Sequence, residues 1–293
     1  MSPYLTAVLG GLLGMFGWGF ADFCAKVAVN AMEELTALVW GHLLATAVLL
    51  VAAAFAWNTT AGSGRTGGTS GLAALVGLGV LQGIIYMLLY RGFGQGDVAP
   101  LSPVFASFSG VVAVVSILFL GEHTTPLRTA VLILLFAGVL LLGASDGVPL
   151  IRGVGRAAGF RPVALAAVLA AAWTLCWSHV VDGHNTLVCA AVMYAAMTSF
   201  FVGVAAIKDV PLRVPPHSGL PLAGIALGEA AAYAGISWGY GAGTSVSIVA
   251  LLSGAFSLPT IALAAAFLRE RLGHRALLGA VLVVACSAAL AIQ

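Results

Sequence analysis

Ten apolar runs, separated by short polar breaks, follow one another along the chain. Each run has about 20 residues, the length that an α-helix needs to cross the hydrocarbon core of a bilayer. The runs are too long for the strands of a membrane barrel and lack their strict alternation. We therefore predict an all-α integral membrane protein with ten transmembrane helices. The predicted spans, numbered in chain order, are residues 4–26, 34–57, 71–91, 98–120, 126–144, 162–181, 186–207, 219–240, 245–268 and 273–292.

The composition agrees with a protein that lies in lipid. Of the 293 residues, 61% are hydrophobic and 8% are charged, whereas about a quarter are charged in a soluble domain. So few charged groups cannot cover the surface of a soluble enzyme of this size. The net charge of +2, without any run rich in Lys and Arg, leaves no footprint for nucleic acid.

The two halves of the chain are similar in sequence. An offset of 147 residues pairs Gln82 with Glu229 and Tyr86 with Tyr233, and it also pairs three glycines at 92, 94 and 96 with three at 239, 241 and 243. After one inserted residue, the offset becomes 148 and pairs Glu122 with Glu270. This pattern indicates a duplicated unit.

A unit of five spans is odd in number, so its second copy must lie inverted in the membrane. Inverted repeats are typical of secondary transporters, whose substrate site lies near the midplane between the repeats. We predict a first repeat at 1–145, a connecting loop at 146–161 and a second repeat at 162–293, arranged around a central cavity.

Several short motifs identify a family. The first half of the chain resembles the drug/metabolite transporter superfamily, EamA type. The resemblance rests on LSPVF at 101–105, FLGE at 119–122, Pro126 and AGVLLL at 137–142. The second half repeats the pattern more weakly, with FLRE at 267–270. The resemblance implies ten helices around a central cavity lined by helices 1, 3, 4, 6, 8 and 9, and a permease for amino acids, drugs, sugars or other metabolites in the inner (cytoplasmic) membrane.

Two carboxylates lie inside predicted spans and away from the first residue of any span, where an ionisable group is expensive and is a functional candidate by default. Glu229 is about midway along span 8, with no basic residue within ten positions. A carboxyl group without hydration favours its neutral form, so Glu229 could hold and release a proton during transport. Asp22 in span 1 is the second candidate for proton coupling; it lies four residues before Lys26, which could pair with it or extend to the membrane surface.

Aromatic residues follow the same helical faces as these carboxylates. Flat aromatic walls suit aromatic rings or organic cations, through stacking and cation–π contacts, although ordinary packing is the alternative. The predicted substrate-binding residues are Trp18, Asp22, Gln82, Tyr86, Tyr90, Trp173, Trp177 and Tyr233. Tyr4, Trp57, Trp238 and Tyr240 fit interfacial belts better.

Other polar residues have structural interpretations. His42 in span 2 could titrate near neutrality, but a hydrogen bond to a neighbouring helix is the favoured interpretation. Glu122 and Glu270, which follow spans 4 and 9, are expected to cap helix N-termini. Pro259 interrupts span 9, and proline-interrupted helices are frequent near transporter sites.

The sequence has no nucleotide-binding, metal-binding or hydrolase motif, so we expect no cofactor, no metal and no direct use of ATP. The alternative to a permease is an integral-membrane enzyme, or a flippase for lipid-linked substrates, that uses the loop with Arg152, Arg156 and Arg161.

Ten of the twelve Lys and Arg residues lie on the side opposite the termini, which places both termini outside, whereas the family resemblance places them in the cytoplasm. The oligomeric state, the substrate and the direction of transport stay open.

Overall fold

The computed structural model describes residues 1–57, 66–95, 98–142, 159–243, 245–267 and 273–292, and this part of the chain is all-helical. We number the helices in chain order. They are α1 Pro3–Val29, α2 Glu34–Ala56, α3 Gly68–Gln95, α4 Val98–Phe119, α5 Pro126–Leu142, α6 Phe160–Val181, α7 Thr186–Ile207, α8 Gly219–Tyr240, α9 Val246–Gly254, α10 Ser257–Phe267 and α11 His274–Ala291.

The helices reproduce the ten predicted spans, with α9 and α10 together forming the ninth. Within the described residues, eight spans are long and apolar enough to cross a membrane, and α4 and α5 contain the shorter apolar segments Val104–Phe119 and Pro126–Leu142. Large apolar side chains such as Phe55, Ile133 and Val168 point outward and are more than 60% exposed. Lipid chains, not water, suit such a surface.

The ninth span is broken in the middle, as the proline in it indicates. Ala255 and Phe256 are not helical, and the break lies just before Pro259. Proline has no N–H and cannot continue the hydrogen-bond ladder to residue 255, so the Ala255 carbonyl accepts instead from the N–H of Leu258 at 2.9 Å. The hydroxyl of Thr260 donates to the carbonyl of Gly19, which ties α10 to α1.

Each principal contact between helices has a counterpart in which every helix is replaced by the equivalent helix of the other half of the chain. Helix α1 packs against α8 as α6 packs against α3, and α1 contacts α9 as α6 contacts α4. Helix α2 contacts α8 as α7 contacts α3, while α2 pairs with α7, α4 with α9, and α5 with α11. A duplicated five-span unit produces this pattern. The division into repeats at 1–145 and 162–293 stays a prediction.

Glycines bring α1 and α8 close together at the level of the predicted site. A Cβ added at Gly228 would lie 2.6 Å from the carbonyl oxygen of Gly17, and one added at Gly17 would lie 2.6 Å from the carbonyl oxygen of Gly228. Small residues allow such close packing between membrane helices. Because Trp18 and Glu229 directly follow these two glycines, the contact places them in the same layer of the bundle.

The belt assignments agree only in part with the burial. Trp57 and Trp238 are 46% and 37% exposed, as expected for interfacial residues. The assignment is wrong for Tyr240, which is 3% exposed and packs into the core. This side chain is at the end of α8, where the close contact of α8 with α1 and α9 excludes lipid.

Candidate functional site

Glu229 is the centre of the candidate site. It is 3% exposed and lies midway along α8. Its Oε1 accepts a hydrogen bond from the hydroxyl of Tyr86 at 3.1 Å, and its Oε2 accepts one from the hydroxyl of Tyr194 at 3.0 Å. Tyr86 belongs to α3 and Tyr194 to α7, so three helices meet at one carboxyl group.

His42 of α2 packs against the two tyrosines that bind Glu229. Its ring stacks on Tyr194 with centroids 5.5 Å apart and meets the edge of Tyr86 at 5.3 Å. Its Nδ1 lies 2.8 Å from the carbonyl oxygen of Leu38, one turn earlier in the same helix. The sequence predicts a hydrogen bond from His42 to a neighbouring helix, but the bond that orients this ring lies within α2. Nε2 is buried and has no partner among the described residues.

Four of the predicted aromatic residues form one cluster around Tyr233. The ring of Tyr233 makes edge contacts with Trp18 at 5.5 Å and Trp173 at 6.0 Å, measured between centroids. Trp173 stacks on Trp177 at 5.3 Å. Tyr233 also contacts Tyr194 at 5.0 Å, which joins this aromatic cluster to the group around Glu229.

Part of this cluster is ordinary core. The indole N–H of Trp173 donates to the carbonyl of Leu78 at 2.9 Å, and Trp177 is fully buried. Other members keep buried polar atoms without a partner in the described part of the chain. These atoms are Nε1 of Trp18, Nε1 of Trp177, Oε1 of Gln82 and the hydroxyl of Tyr233. Trp18 lies against Glu229, and Tyr233 lies against Tyr86 and Gln82, so three of these four atoms belong to residues beside other polar groups of the site.

A narrow crevice leads from the protein surface to Glu229, and we call it the acidic crevice. Its volume of about 20 Å³ has room for one or two water molecules. Three carboxylates line it: the exposed Glu34 at the start of α2, the half-buried Asp22 and the buried Glu229. The remaining lining residues are Ala21, Ala25, Val29, Ala37, Leu38, His42, Tyr86 and Ile225.

A wider groove of about 660 Å³ adjoins the acidic crevice, and we call it the outer groove. The two share Glu34 and Leu38. The outer groove lies between α2, α3 and α7, with mostly apolar walls and with Arg91 and Lys208 at its rim. Both openings therefore lie at the end of the bundle where α2 begins and where α3 and α7 end.

The predicted site residues fall into three groups. Asp22, Tyr86 and Glu229 line the acidic crevice. The second group, Trp18, Trp173, Trp177 and Tyr233, is the aromatic cluster, with Gln82 buried in the same core. The side chain of Tyr90 lies outside the described residues. Lys26 is exposed at the end of α1.

Two residues at the site were not among the predicted binding residues. Tyr194 and His42 lie on α7 and α2, helices that the family resemblance did not place around the cavity. The similarity between the two halves does not indicate Tyr194 as a site residue, because the offset of 147 pairs it with Ala47. The available signal was a single tyrosine in span 7 and a single histidine in span 2, polar groups inside otherwise apolar runs.

Glu122 caps a helix, as predicted, although not the helix that follows it. Its carboxylate accepts hydrogen bonds from the backbone N–H of Ser247 at 2.9 Å and from the hydroxyl of Ser247. Ser247 is in the first turn of α9, so the cap joins the α4–α5 loop to the other half of the chain. Burial raises the pKa of Glu122, while the hydrogen bonds from Ser247 oppose this effect. Glu270, its predicted counterpart, lies outside the described residues.

Comparisons with known proteins agree with this architecture. Residues 5–144, which hold the first five spans, match the model of the EamA-like transporter family. One solved crystal structure matches with a TM-score of 0.74 and 17% sequence identity, covering 97% of this chain and 96% of that one, which shows a shared fold. No curated protein gives a significant match. The first half of the chain is thus similar to the EamA-like transporter family of the drug/metabolite transporter superfamily, and the apolar helices indicate a multi-pass membrane protein.

Proposed function

We propose that this EamA-like membrane protein is a secondary transporter that moves small organic solutes by alternating access, coupled to protonation of Glu229. The observation that carries the proposal is the environment of Glu229. A carboxyl group that is 3% exposed, hydrogen-bonded by two tyrosines and reached from the surface through a crevice can exchange protons without unfolding.

The coupling follows from the cost of a charge inside the membrane. An unpaired carboxylate in a low-dielectric site is expensive, so it requires a proton or a positively charged group beside it. A cationic solute would compete with the proton and be exchanged for it, whereas a neutral solute could travel with the proton. Asp22 lines the same crevice and is the second candidate for this role.

The contacts at the two ends of the bundle suggest how access could alternate. The acidic crevice and the outer groove open where α2 begins. At the opposite end, Glu122 holds the N-terminus of α9. The broken span formed by α9 and α10 contacts α1 and meets Trp18 through Phe256, at 6.2 Å between ring centroids. Release of the Glu122 cap and movement of the broken span would open the other side.

The aromatic cluster is proposed to bind the body of the solute. It offers aromatic faces together with the buried polar groups of Trp18, Gln82 and Tyr233. Trp173 and Trp177 would support these walls from behind. The chain is proposed to lie in the inner (cytoplasmic) membrane. The alternative is an enzyme or a flippase that uses Arg152, Arg156 and Arg161; Arg161 is exposed, and the other two lie outside the described residues.

The experiment uses purified protein reconstituted into vesicles. Uptake of aromatic amino acids, organic cations and sugars is measured with and without an imposed pH gradient. We expect at least one class to accumulate only when the gradient is present. In Glu229→Gln, accumulation should be lost while solute exchange without a gradient persists. The amide keeps the shape, its oxygen can accept from one tyrosine hydroxyl and its NH₂ can donate to the oxygen of the other, but it cannot titrate.

Gln82 pairs with Glu229 in the sequence repeat, so an amide of this size already occurs at the related position in the other half. Accumulation by Glu229→Gln at the wild-type rate, with the same pH dependence, would show that the glutamate is structural. The same measurement on Asp22→Asn would then test the second candidate.

A further inference from the structure

The acidic crevice is too narrow for an organic solute but wide enough for water. Its volume of about 20 Å³ has room for one or two water molecules, and the solutes of the uptake panel are several times larger. Its walls carry the carboxyl groups of Asp22, Glu34 and Glu229. Chains of carboxyl groups and water are the usual proton relays of membrane transporters. The crevice therefore suits a proton, and a solute has to approach Glu229 from another side.

The close contact of α1 and α8 brings Asp22 and Glu229 to the same level of the crevice. A Cβ added at Gly228 would lie 2.9 Å from the backbone nitrogen of Ala21. Asp22 directly follows Ala21, Glu229 directly follows Gly228, and both carboxyl groups line the crevice. They are close enough for the charge of Glu229 to act on Asp22. Because the crevice holds two waters at most, one or two waters suffice to connect the two carboxyl groups.

His42 provides an independent indication that water is held there. The carbonyl of Leu38 can only accept, so Nδ1 of His42 carries the proton in their 2.8 Å contact, and Nε2 of the neutral ring presents a lone pair. His42 is 2% exposed and lines the crevice, and its Nε2 has no partner among the described residues. A water can donate one hydrogen to Nε2 and the other to a carboxylate, which fixes its position.

The helices packed around Asp22 bring no cation into the crevice. Lys26, one turn after Asp22, is exposed and does not line it. Helices α9 and α10, which pack against α1, contain no ionisable residue. Helix α11 bonds α1 at Tyr4, about five turns before Asp22. The ionisable groups that share the crevice with Asp22 are Glu34 and His42 of α2, Tyr86 of α3 and Glu229 of α8.

We propose that the acidic crevice is a water-filled proton path, in which Asp22 relays protons from the surface to Glu229 while the solute takes another route. In the relay step, protonated Asp22 donates its proton to the water, and the water donates one of its own to the Glu229 carboxylate. An O–H bond breaks at Asp22 and one forms at Glu229, so Asp22 is left ionised and the water is unchanged. The next proton arrives from the mouth, where Glu34 lies. This inference rests on the transport function proposed above and assigns its proton route.

The test separates proton delivery from solute binding in Asp22→Asn, which keeps the shape of the side chain. Two rates are measured on the reconstituted protein with a solute that the wild type accumulates. One is net uptake driven by a pH gradient; the other is exchange of labelled for unlabelled solute at equal pH, which moves no net proton. We expect net uptake to slow at least about tenfold, since a positioned proton donor contributes that much or more. Exchange should be retained, as in Glu229→Gln.

Loss of a relay also changes the pH profile. Proton delivery then limits transport, so the net rate of Asp22→Asn should rise with the proton concentration at the crevice mouth, through a pH range in which the wild-type rate is constant. Replacing H₂O by D₂O should slow this variant more than the wild type. A purely structural defect would change neither property.

Two neighbouring glutamates provide matched variants at the mouth. Glu34 lines the acidic crevice, whereas Glu33 lines the outer groove and not the crevice. Glu34→Gln should lower the rate of net uptake, because a carboxylate at the mouth raises the local proton concentration. Glu33→Gln, with the same change of charge one residue away, should leave that rate unchanged.

Net uptake by Asp22→Asn at the wild-type rate would overturn the proposal. So would a parallel loss of exchange, since Asp22 would then bind the solute or support the fold, and so would equal losses in Glu34→Gln and Glu33→Gln. In each of these cases the transport function stands if the wild type accumulates a solute in a Glu229-dependent manner. If no solute is accumulated under any gradient, the transport function itself fails.

Discussion

The close contact between α1 and α8 predicts the effect of adding one methyl group at Gly228. In Gly228→Ala, the new Cβ would lie 2.6 Å from the carbonyl oxygen of Gly17 and 2.9 Å from the backbone nitrogen of Ala21. An ordinary carbon–oxygen contact is about 3.4 Å, so the helices would have to separate by about 0.8 Å. The neighbouring atoms are backbone, which cannot rotate away as a side chain could.

We expect this substitution to destabilise the protein by about 1–3 kcal/mol, the usual effect of overpacking a tight core. The measurement is the apparent melting temperature in detergent, together with the transport rate. Transport should also fall, because the separation moves Trp18 and Asp22 away from Glu229 and Tyr233.

The control is Gly77→Ala on the exposed face of α3, where an added Cβ meets nothing within 4 Å. This variant carries the same chemical change in the middle of a helix and should be neutral or slightly stabilising, since alanine favours helix more than glycine does. Equal melting temperatures and transport rates for the two variants would refute the argument that the α1–α8 contact positions the site.

Two further perturbations test other parts of the account. Tyr194→Phe removes one of the two hydrogen bonds to Glu229 and should reduce the initial rate of gradient-driven uptake about tenfold, with little change in the amount of folded protein recovered. Glu122→Ala should lower the free energy of unfolding by about 1 kcal/mol through loss of the α9 cap, whereas Glu122→Gln keeps an acceptor for Ser247 and should lose less. Because the pKa of Glu122 is raised by burial, the folded protein binds this proton more readily than the unfolded chain, so its contribution to stability falls as pH rises above the ordinary value of 4.5. A melting-temperature series against pH should therefore be flatter in Glu122→Gln, and an identical slope would contradict this assignment.

The spans could be predicted from the sequence because their length and apolarity follow from the thickness of the bilayer. Glu229 and Asp22 could be singled out for a related reason, since an ionisable group within an apolar run is rare and conspicuous. The helix caps were partly predictable: Glu122 indicated a cap, but its partner Ser247 is 125 residues away, and only the tertiary fold brings them together.

The partners of Glu229 could not be predicted in the same way. Which face a helix presents depends on its rotation against its neighbours, and a nearly uniform apolar helix such as α7 provides no periodic signal for that rotation. Tyr194 and His42 therefore emerged only from the packing of α2 and α7 against α3 and α8. Tyr240 shows the converse, because an aromatic residue near a predicted helix end fits an interfacial belt until the neighbouring helices are known to bury it.

The most direct test of the central claim counts protons against solute in sealed vesicles. Vesicles that contain the reconstituted protein are loaded with a pH-sensitive dye. A transported solute from the uptake panel is then added outside, with the internal and external pH equal. The account predicts a solute-dependent change in internal pH for the wild type, and none for Glu229→Gln although the solute still equilibrates. A change of the same size and rate in Glu229→Gln would contradict it, because protons would then be moving without this carboxyl group.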